Sequence, residues 1–258
     1  MTRDSLATMA TEHAIGIDIG GTGIKGAVVD LRSGELVSER RKVSTPEGGR
    51  PADILRATGE LLDGLSNEFG DALPLGVCFP AVVKHGHTLS AANISSEWIG
   101  LPAEQLFEDT FGREIHFIND ADAAGYAESR YGAAVGAEGL VILTTLGTGI
   151  GSAFLYDGVL LPNTELGHME VDGVQAEKRA AYSAMERESL DWPDWAARLQ
   201  RFYAAVEFLF SPDLFVVGGG VSKHHAQFLP LLELNTPIVP AVHRNNAGIL
   251  GAASLAAG

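Results

Sequence analysis

Residues 14–36, AIGIDIGGTGIKGAVVDLRSGEL, set an aspartate, Asp18, in an apolar strand pattern and follow it with Gly20, Gly21, Thr22 and then Lys25. Without a Cβ, a glycine backbone can approach an anion closely and aim its N–H groups at it, and a threonine hydroxyl adds a donor. These residue types in this order fit a phosphate cradle. Lys25 is either a further phosphate contact or a solvated strand residue. Gly21-Thr22-Gly23-Ile24 recurs as Gly147-Thr148-Gly149-Ile150, 126 residues later, with Thr145 just ahead of it. A lone glycine turn is common in hairpins, and a chance repeat of four residues is the competing reading. Two copies half a chain apart, each leading into small residues and an apolar strand, predict duplicated lobes that serve one cleft. A third glycine run, with Gly219 and Gly220, follows the apolar stretch 214–217.

Asn119-Asp120 stands where an alternating strand pattern runs into the alanine-rich stretch ADAAGYAES. A carboxylate at such a junction is either a general base exposed at a strand end or a helix N-cap. Asp122, in the first helical turn, reads as a dipole or structural partner.

The elements that must position these residues follow from periodicity. Strands are predicted over 14–19, 24–30 and 35–43, with a turn at Arg32-Ser33-Gly34, and a buried strand over 74–83. Apolar residues at 54, 55, 58, 61, 62 and 65 predict a helix over 51–69, opened by Pro51. Further helices are expected over 102–111 and 191–210, and an asparagine-capped helix over 245–257. Residues 140–161 read as strand, glycine turn, strand. No low-complexity linker divides the chain, so the lobe boundary is expected at the strand-to-helix crossing near 115–120.

The composition is that of an α/β enzyme: 46% of the 258 residues are hydrophobic and 31 glycines are spread throughout. A formal net charge of −15 argues against a broad nucleic-acid surface, which would be basic over a whole face. Cys78 is the single cysteine, which excludes an internal disulfide and a multi-cysteine zinc site and suits a reducing compartment. With no signal-like start and no long apolar run, a cytoplasmic protein without membrane partners is expected.

Taken together, D-I-G-G-T-x-x-K at 18–25, N-D-A-D-A-A-G at 119–125, L-G-T-G-I-G at 146–151, E-L-G-H at 165–168 and G-G-G-V-S at 218–222 resemble the sugar kinases of the ROK family, in the actin/hexokinase superfamily. Within that family the resemblance is closest to the polyphosphate-using glucokinases and glucomannokinases of actinobacteria. It implies an α/β fold of two ribonuclease-H-like lobes with an interlobe cleft, assigned here as 1–118 with 245–258 and 119–244. It implies transfer of a phosphoryl group from polyphosphate, ATP or both to the 6-hydroxyl of glucose or mannose.

By the same resemblance Asp120 is the base and Asp18 orients Mg²⁺ through water. Phosphate oxygens fall to Gly20, Gly21, Thr22, Lys25, Thr145, Gly147, Thr148, Gly149, Gly219 and Gly220. Asn93, Asn119, Asp120, Glu165, His168 and Glu177 contact the sugar. Trp98 either stacks near the sugar or anchors its loop, the reading preferred here. Most such kinases carry a Cys-x-Cys-Gly-x-x-Gly-Cys zinc segment after the Gly-His pair; here MEVDGVQAEKRAAYSAMERE holds no cysteine, so no structural zinc is expected. Pro80-Ala81 departs from the usual Pro-Gly.

Mg²⁺ and aligned backbone N–H groups reconcile an acidic chain with a polyanionic donor. A long polyphosphate would need further cations, for which Lys84-His85-Gly86-His87, Lys223-His224-His225 and His243-Arg244 are candidates against solvated surface charge. The sequence does not separate this donor from strict ATP use, the alternative reading. Resembling repressors carry a DNA-binding domain ahead of this region, whereas 13 residues precede the first strand here. Resembling proteins are often homodimers, although oligomeric state is not legible in the sequence.

Overall fold

The computed structural model describes residues 12–91 and 93–258. The chain forms two compact lobes: the first ends at Ala123 and takes up Asn246–Gly258 again, and the second is Ala124–Asn245.

In the first lobe, β1 (His13–Ile19) and β2 (Ile24–Asp30) make an antiparallel hairpin across the glycine turn, Ile19 opposite Ile24. Beyond them come β3 (Glu35–Leu36), β4 (Arg41–Val43), helix α1 (Pro51–Phe69), β5 (Leu75–Phe79), a small hairpin of β6 (Val83–Lys84) and β7 (His87–Thr88), helix α2 (Ala103–Phe111), and β8 (His116–Asn119). The sheet order is β3-β2-β1-β5-β8, with β4 also on β2, and β1, β5 and β8 run parallel. Alternation divides the sheet's faces. Ile15, Ile17 and Ile19 join the buried α1 side chains Leu61, Leu62 and Leu65 in one core. Gly16 faces the other way, where the last helix, α7 (Ala247–Ala256), lies so close that a Cβ would come 1.9 Å from the Ile249 carbonyl oxygen. Helix α3 (Asp120–Tyr131) opens in this lobe and ends in the second.

The second lobe repeats the plan. Strands β9 (Leu140–Leu146), β10 (Ile150–Tyr156), β11 (Val159–Leu161), β14 (Leu214–Gly218) and β15 (Ile238–Pro240) are ordered β11-β10-β9-β14-β15, with β9, β14 and β15 parallel. Between β11 and β14 lie a hairpin of β12 (Glu170–Val171) and β13 (Val174–Gln175), then α4 (Ala176–Ala180), α5 (Tyr182–Glu188) and α6 (Trp192–Phe210). Helix α6 starts at an Asp191 cap, whose side chain accepts the Asp194 N–H at 2.9 Å, and buries Trp195, Leu199, Phe202 and Val206. They pack with Ile142, Phe154 and Phe215 of the sheet. On the opposite face Gly125 of α3 sits against Ala153, 2.5 Å from a Cβ placed on that glycine.

Four sequence-based expectations are corrected. Residues 35–43 are two short strands, because the register on β2 slips between Val29↔Leu36 and Gly26↔Arg41; Ser38 fills the gap by accepting the Val28 N–H at 2.9 Å. The strand expected over 74–83 stops at Phe79, where Pro80 has no N–H to continue the ladder, and Val83 belongs to a separate hairpin. Asn246 does not cap α7 with its side chain; its Oδ1 accepts a hydrogen bond from Arg40 at 3.0 Å. The first lobe also runs past residue 118: Asn119 still pairs with Phe79 in its sheet, and a Cβ at Gly251 of α7 would meet the Ala123 oxygen at 1.8 Å. No helix among the described residues is long and apolar enough to cross a membrane.

Candidate active site

In the first lobe the parallel strands β1, β5 and β8 bring their carboxyl ends to one edge, where α/β sheets place ligands. Asp18 stands opposite Lys25 in the β1–β2 ladder, and the two side chains pair at 2.9 Å, so Lys25 is not a solvated strand residue. On the other side Asp18 is level with Cys78 of β5, whose thiol donates to its Oδ1 at 3.6 Å. Burial pushes the Cys78 thiol well above its ordinary value, and the charges of Asp18 and Asp120 push it the same way. Cys78 is therefore a buried neutral donor to Asp18.

The helix-cap role falls to Asn119. Its Oδ1 accepts the N–H groups of Ala121 at 2.8 Å and Asp122 at 3.1 Å, while its Nδ2 donates to Ala81 O at 2.9 Å. That last bond also fixes the Pro80-Ala81 backbone. Asn119 is buried, with its side chain engaged in this way, whereas Asp120 is half-buried at the start of α3 with Oδ1 2.8 Å from the Ala121 nitrogen. Asp122 is fully buried, in keeping with a structural role.

The first turn is narrow, Gly20 N donating to Gly23 O at 3.0 Å, with Gly21 and Thr22 exposed. Asn93, exposed and at φ +59°, lies over it: a Cβ on Gly21 would meet the Asn93 oxygen at 2.8 Å. Glycine is required at 21 by the Asn93 backbone and not only by an incoming anion. Trp98 does anchor its loop; it is fully buried, packs its ring at a tilt against Phe79 and donates to Gly49 O at 2.9 Å. Sequence reading missed Lys42 and Thr45. Thr45 donates to Gly20 O, and Lys42, opposite Lys25 on β4, reaches within 2.8 Å of a Cβ placed on Gly23.

The second lobe holds the other glycine turns side by side. Gly147 N donates to Gly149 O at 3.0 Å, and Ser183 of α5 clamps the turn by donating its N–H to Gly147 O at 3.0 Å and its hydroxyl to Thr148 O at 2.6 Å. Thr145 is level with Gly218 on β14, and Gly219, at φ +81°, lies so close to β9 that a Cβ would fall 2.4 Å from Leu146 O; Gly220 follows and opens a 3₁₀ segment.

Beside this turn the structure assembles Glu165, His168 and Glu177. A 3₁₀ turn, Leu166–His168, separates the first two by three residues and so turns them to one side. Ser152 positions the segment: its hydroxyl donates to Thr164 O at 2.8 Å and accepts the Leu166 N–H at 3.0 Å, a role the sequence did not reveal. Glu177, in the first turn of α4, approaches His168 Nε2 at 3.8 Å, and a Cβ on Gly149 would lie 2.6 Å from its Oε2. Burial raises the pKa of Glu165; nearby His168 opposes that shift and Glu177 adds to it. Two carboxylates and an imidazole at this spacing suit planar hydrogen bonding to adjacent hydroxyls.

Where relatives by resemblance carry a zinc segment, β12 and β13 form a two-residue hairpin with Asp172 at φ +55° and Gly173 at φ +76°. Among the described residues no group of three or more His, Cys, Asp or Glu side chains is arranged to hold a metal ion. Of the basic clusters, His243 is tied by its ring Nε2 to Tyr131 O at 2.9 Å and His224 packs against Trp192, while Lys84 and His87 sit on the β6–β7 hairpin. Two cavities, of about 170 and 600 Å³, lie elsewhere in the individual lobes and are lined by none of the predicted site residues.

The fold has close counterparts. The chain is 46% identical to a polyphosphate glucokinase of Mycobacterium tuberculosis, over 98% of this chain and 94% of that one. The crystal structure of an inorganic polyphosphate/ATP-glucomannokinase from Arthrobacter sp. strain KM superposes with a TM-score of 0.90 at 50% identity, covering 95% and 98% of the two chains. A glucokinase from Streptomyces griseus, solved with glucose and AMPPNP, gives 0.79 at 26% identity over 94% and 98%. A model of the ROK family matches residues 14–181, and with likeness of this extent beyond it the chain belongs to the ROK family.

Proposed function

We propose that the protein transfers the terminal phosphoryl group of inorganic polyphosphate, and of ATP, to the 6-hydroxyl of glucose, with mannose as a second acceptor. The observation that carries this reading is the edge of the first lobe, where Asp120 shares one line of strand ends with Asp18, Lys25 and the first glycine turn while Asn119 takes up the capping. The names of the relatives point to the same donor and acceptors.

In this reading Asp120 accepts the proton of the sugar 6-hydroxyl as that oxygen attacks the terminal phosphorus. The new P–O bond forms in line with the one that breaks, and the electron pair leaves on the shortened polyphosphate or on ADP. Glu165, His168 and Glu177 bind sugar hydroxyls. The amides of the glycine turns, with Thr22, Thr145 and Thr148, take the phosphate oxygens. One carboxylate, Asp18, beside the first glycine turn fits Mg²⁺, which is held by one or two carboxylates plus phosphate and keeps several waters. When bound it neutralises charge on the transferring group.

The test is production of glucose 6-phosphate by purified protein from glucose with polyphosphate or with ATP. Product with both donors is expected. Product with ATP alone would replace this reading by that of an ATP-dependent glucokinase, and none with either would overturn both.

A further inference from the structure

The chain passes between the lobes twice, within α3 after Ala123 and again after Asn245. Just inside the second lobe both passages meet on one side chain. Glu128, fully buried in the last turn of α3, accepts the N–H groups of Ala133 at 2.8 Å and Val242 at 3.0 Å on Oε2, and that of His243 at 2.7 Å on Oε1. Gly132 leaves room for this, since a Cβ there would lie 2.1 Å from Oε2. A second tie runs beside the first: His243 Nε2 lies 2.9 Å from Tyr131 O, and because a carbonyl only accepts, that nitrogen carries the proton.

Helix stability does not explain this glutamate. An anion at a helix C-terminus opposes the dipole, and burying a carboxylate is costly unless its hydrogen bonds are met. Two of its three backbone donors come from the returning chain. Helix α3 opens with Asp120, and residues 242–245 lead directly into α7, where a Cβ on Gly248 would lie 3.1 Å from the Asp18 carboxyl carbon.

We infer that Glu128 is a positioning residue for phosphoryl transfer: it locks the outgoing and returning passages together, so that they act as one joint whose geometry sets turnover. The elements leading out of that joint are those that carry or cover Asp120 and Asp18. Joints of this kind absorb closure motions far from the chemistry. The inference rests on the proposed roles of Asp120 and Asp18.

Glu128→Gln nearly keeps the shape but turns an amide NH₂ toward a backbone donor. Expected are a fall in kcat of about tenfold or more with polyphosphate, a glucose KM within about threefold of wild type, and faster hydrogen exchange at Val242 and His243 without change in β9 and β14. A folded variant with wild-type kcat, or one whose kcat falls without faster exchange at 242–243, would overturn the inference. Should Glu128→Gln not fold, His243→Leu, which has no donor to offer the Tyr131 carbonyl, removes only the second tie. It is expected to lower kcat about threefold and speed exchange at the same amides, and no change in either would equally overturn it. Asp120→Asn is measured in parallel: full activity there defeats the functional reading itself, whereas loss there with wild-type behaviour of the Glu128 variant defeats only the joint.

Discussion

Asp18 and Thr145 occupy the same place in two copies of one hairpin. Each is the next-to-last residue of its strand, in β1 and β9, and each faces the second residue of the following strand, Lys25 in one lobe and Gly151 in the other. Where the first lobe has an ion pair, the second has a hydroxyl and a bare backbone. The turns beyond them differ too, with four residues, 20–23, between paired strand ends in the first lobe and three, 147–149, in the second. The sequence repeat of 126 residues therefore holds for the turn and β2, while β1 corresponds to β9 with an offset of 127. The connection after the third strand diverges furthest. In the first lobe it is short and carries β4 with Lys42 and Thr45, and in the second it carries Glu165, His168 and Glu177. In the proposed reading, one scaffold carries charge chemistry in its first copy and hydroxyl-binding groups in its second.

The strongest way to break this comparison is Asp120→Asn, which keeps shape and loses basicity. Turnover is expected to fall about 10²–10⁴-fold, with glucose affinity by calorimetry almost unchanged. Turnover like wild type would remove the charge chemistry from the first lobe. Asp18→Thr makes that lobe resemble the second; a loss of about 10²-fold in kcat is expected, against less than about fivefold for Thr145→Val. Equal effects of the two would mean that the lobes do not differ in kind.

Glu165→Ala tests the hydroxyl-binding half and should raise the glucose KM about tenfold or more with a smaller change in kcat. Because burial raises the Glu165 pKa, its carboxylate is lost on acidification sooner than an ordinary glutamate's. With the ionised form accepting sugar hydroxyls, as proposed, KM should rise as pH falls through that raised value and stay flat in Glu165→Gln. The smallest expected effect is that of Lys42→Met: a rise of about threefold in polyphosphate KM with a shallower salt dependence. A KM and salt response like those of wild type would return Lys42 to the solvated surface.

Much of the scaffold was legible because it depends on local pattern. Leu61, Leu62 and Leu65 recur at helical spacing and are buried in α1, and the alternation of Ile15, Ile17 and Ile19 selects one face of β1. Partners distant in sequence were not legible. The residues at 119 and 120 are both favoured cap types, and only the position of Ala81 shows which one the fold uses. That Cys78 donates to Asp18, that Ser152 holds Leu166, and that Glu177 reaches Gly149 are results of strand pairing and helix docking across many residues.

The sequence by itself determined the glycine turns, the period of each strand and helix, and the residue types able to hold phosphate and sugar, because these are written in neighbouring positions of one chain. Only the tertiary structure decided whether Asn119 or Asp120 caps a helix, which lysine is paired, and where the β2 register slips. Those outcomes depend on which buried donors and acceptors find partners once the sheets close, and an unmet one costs about 1–3 kcal/mol.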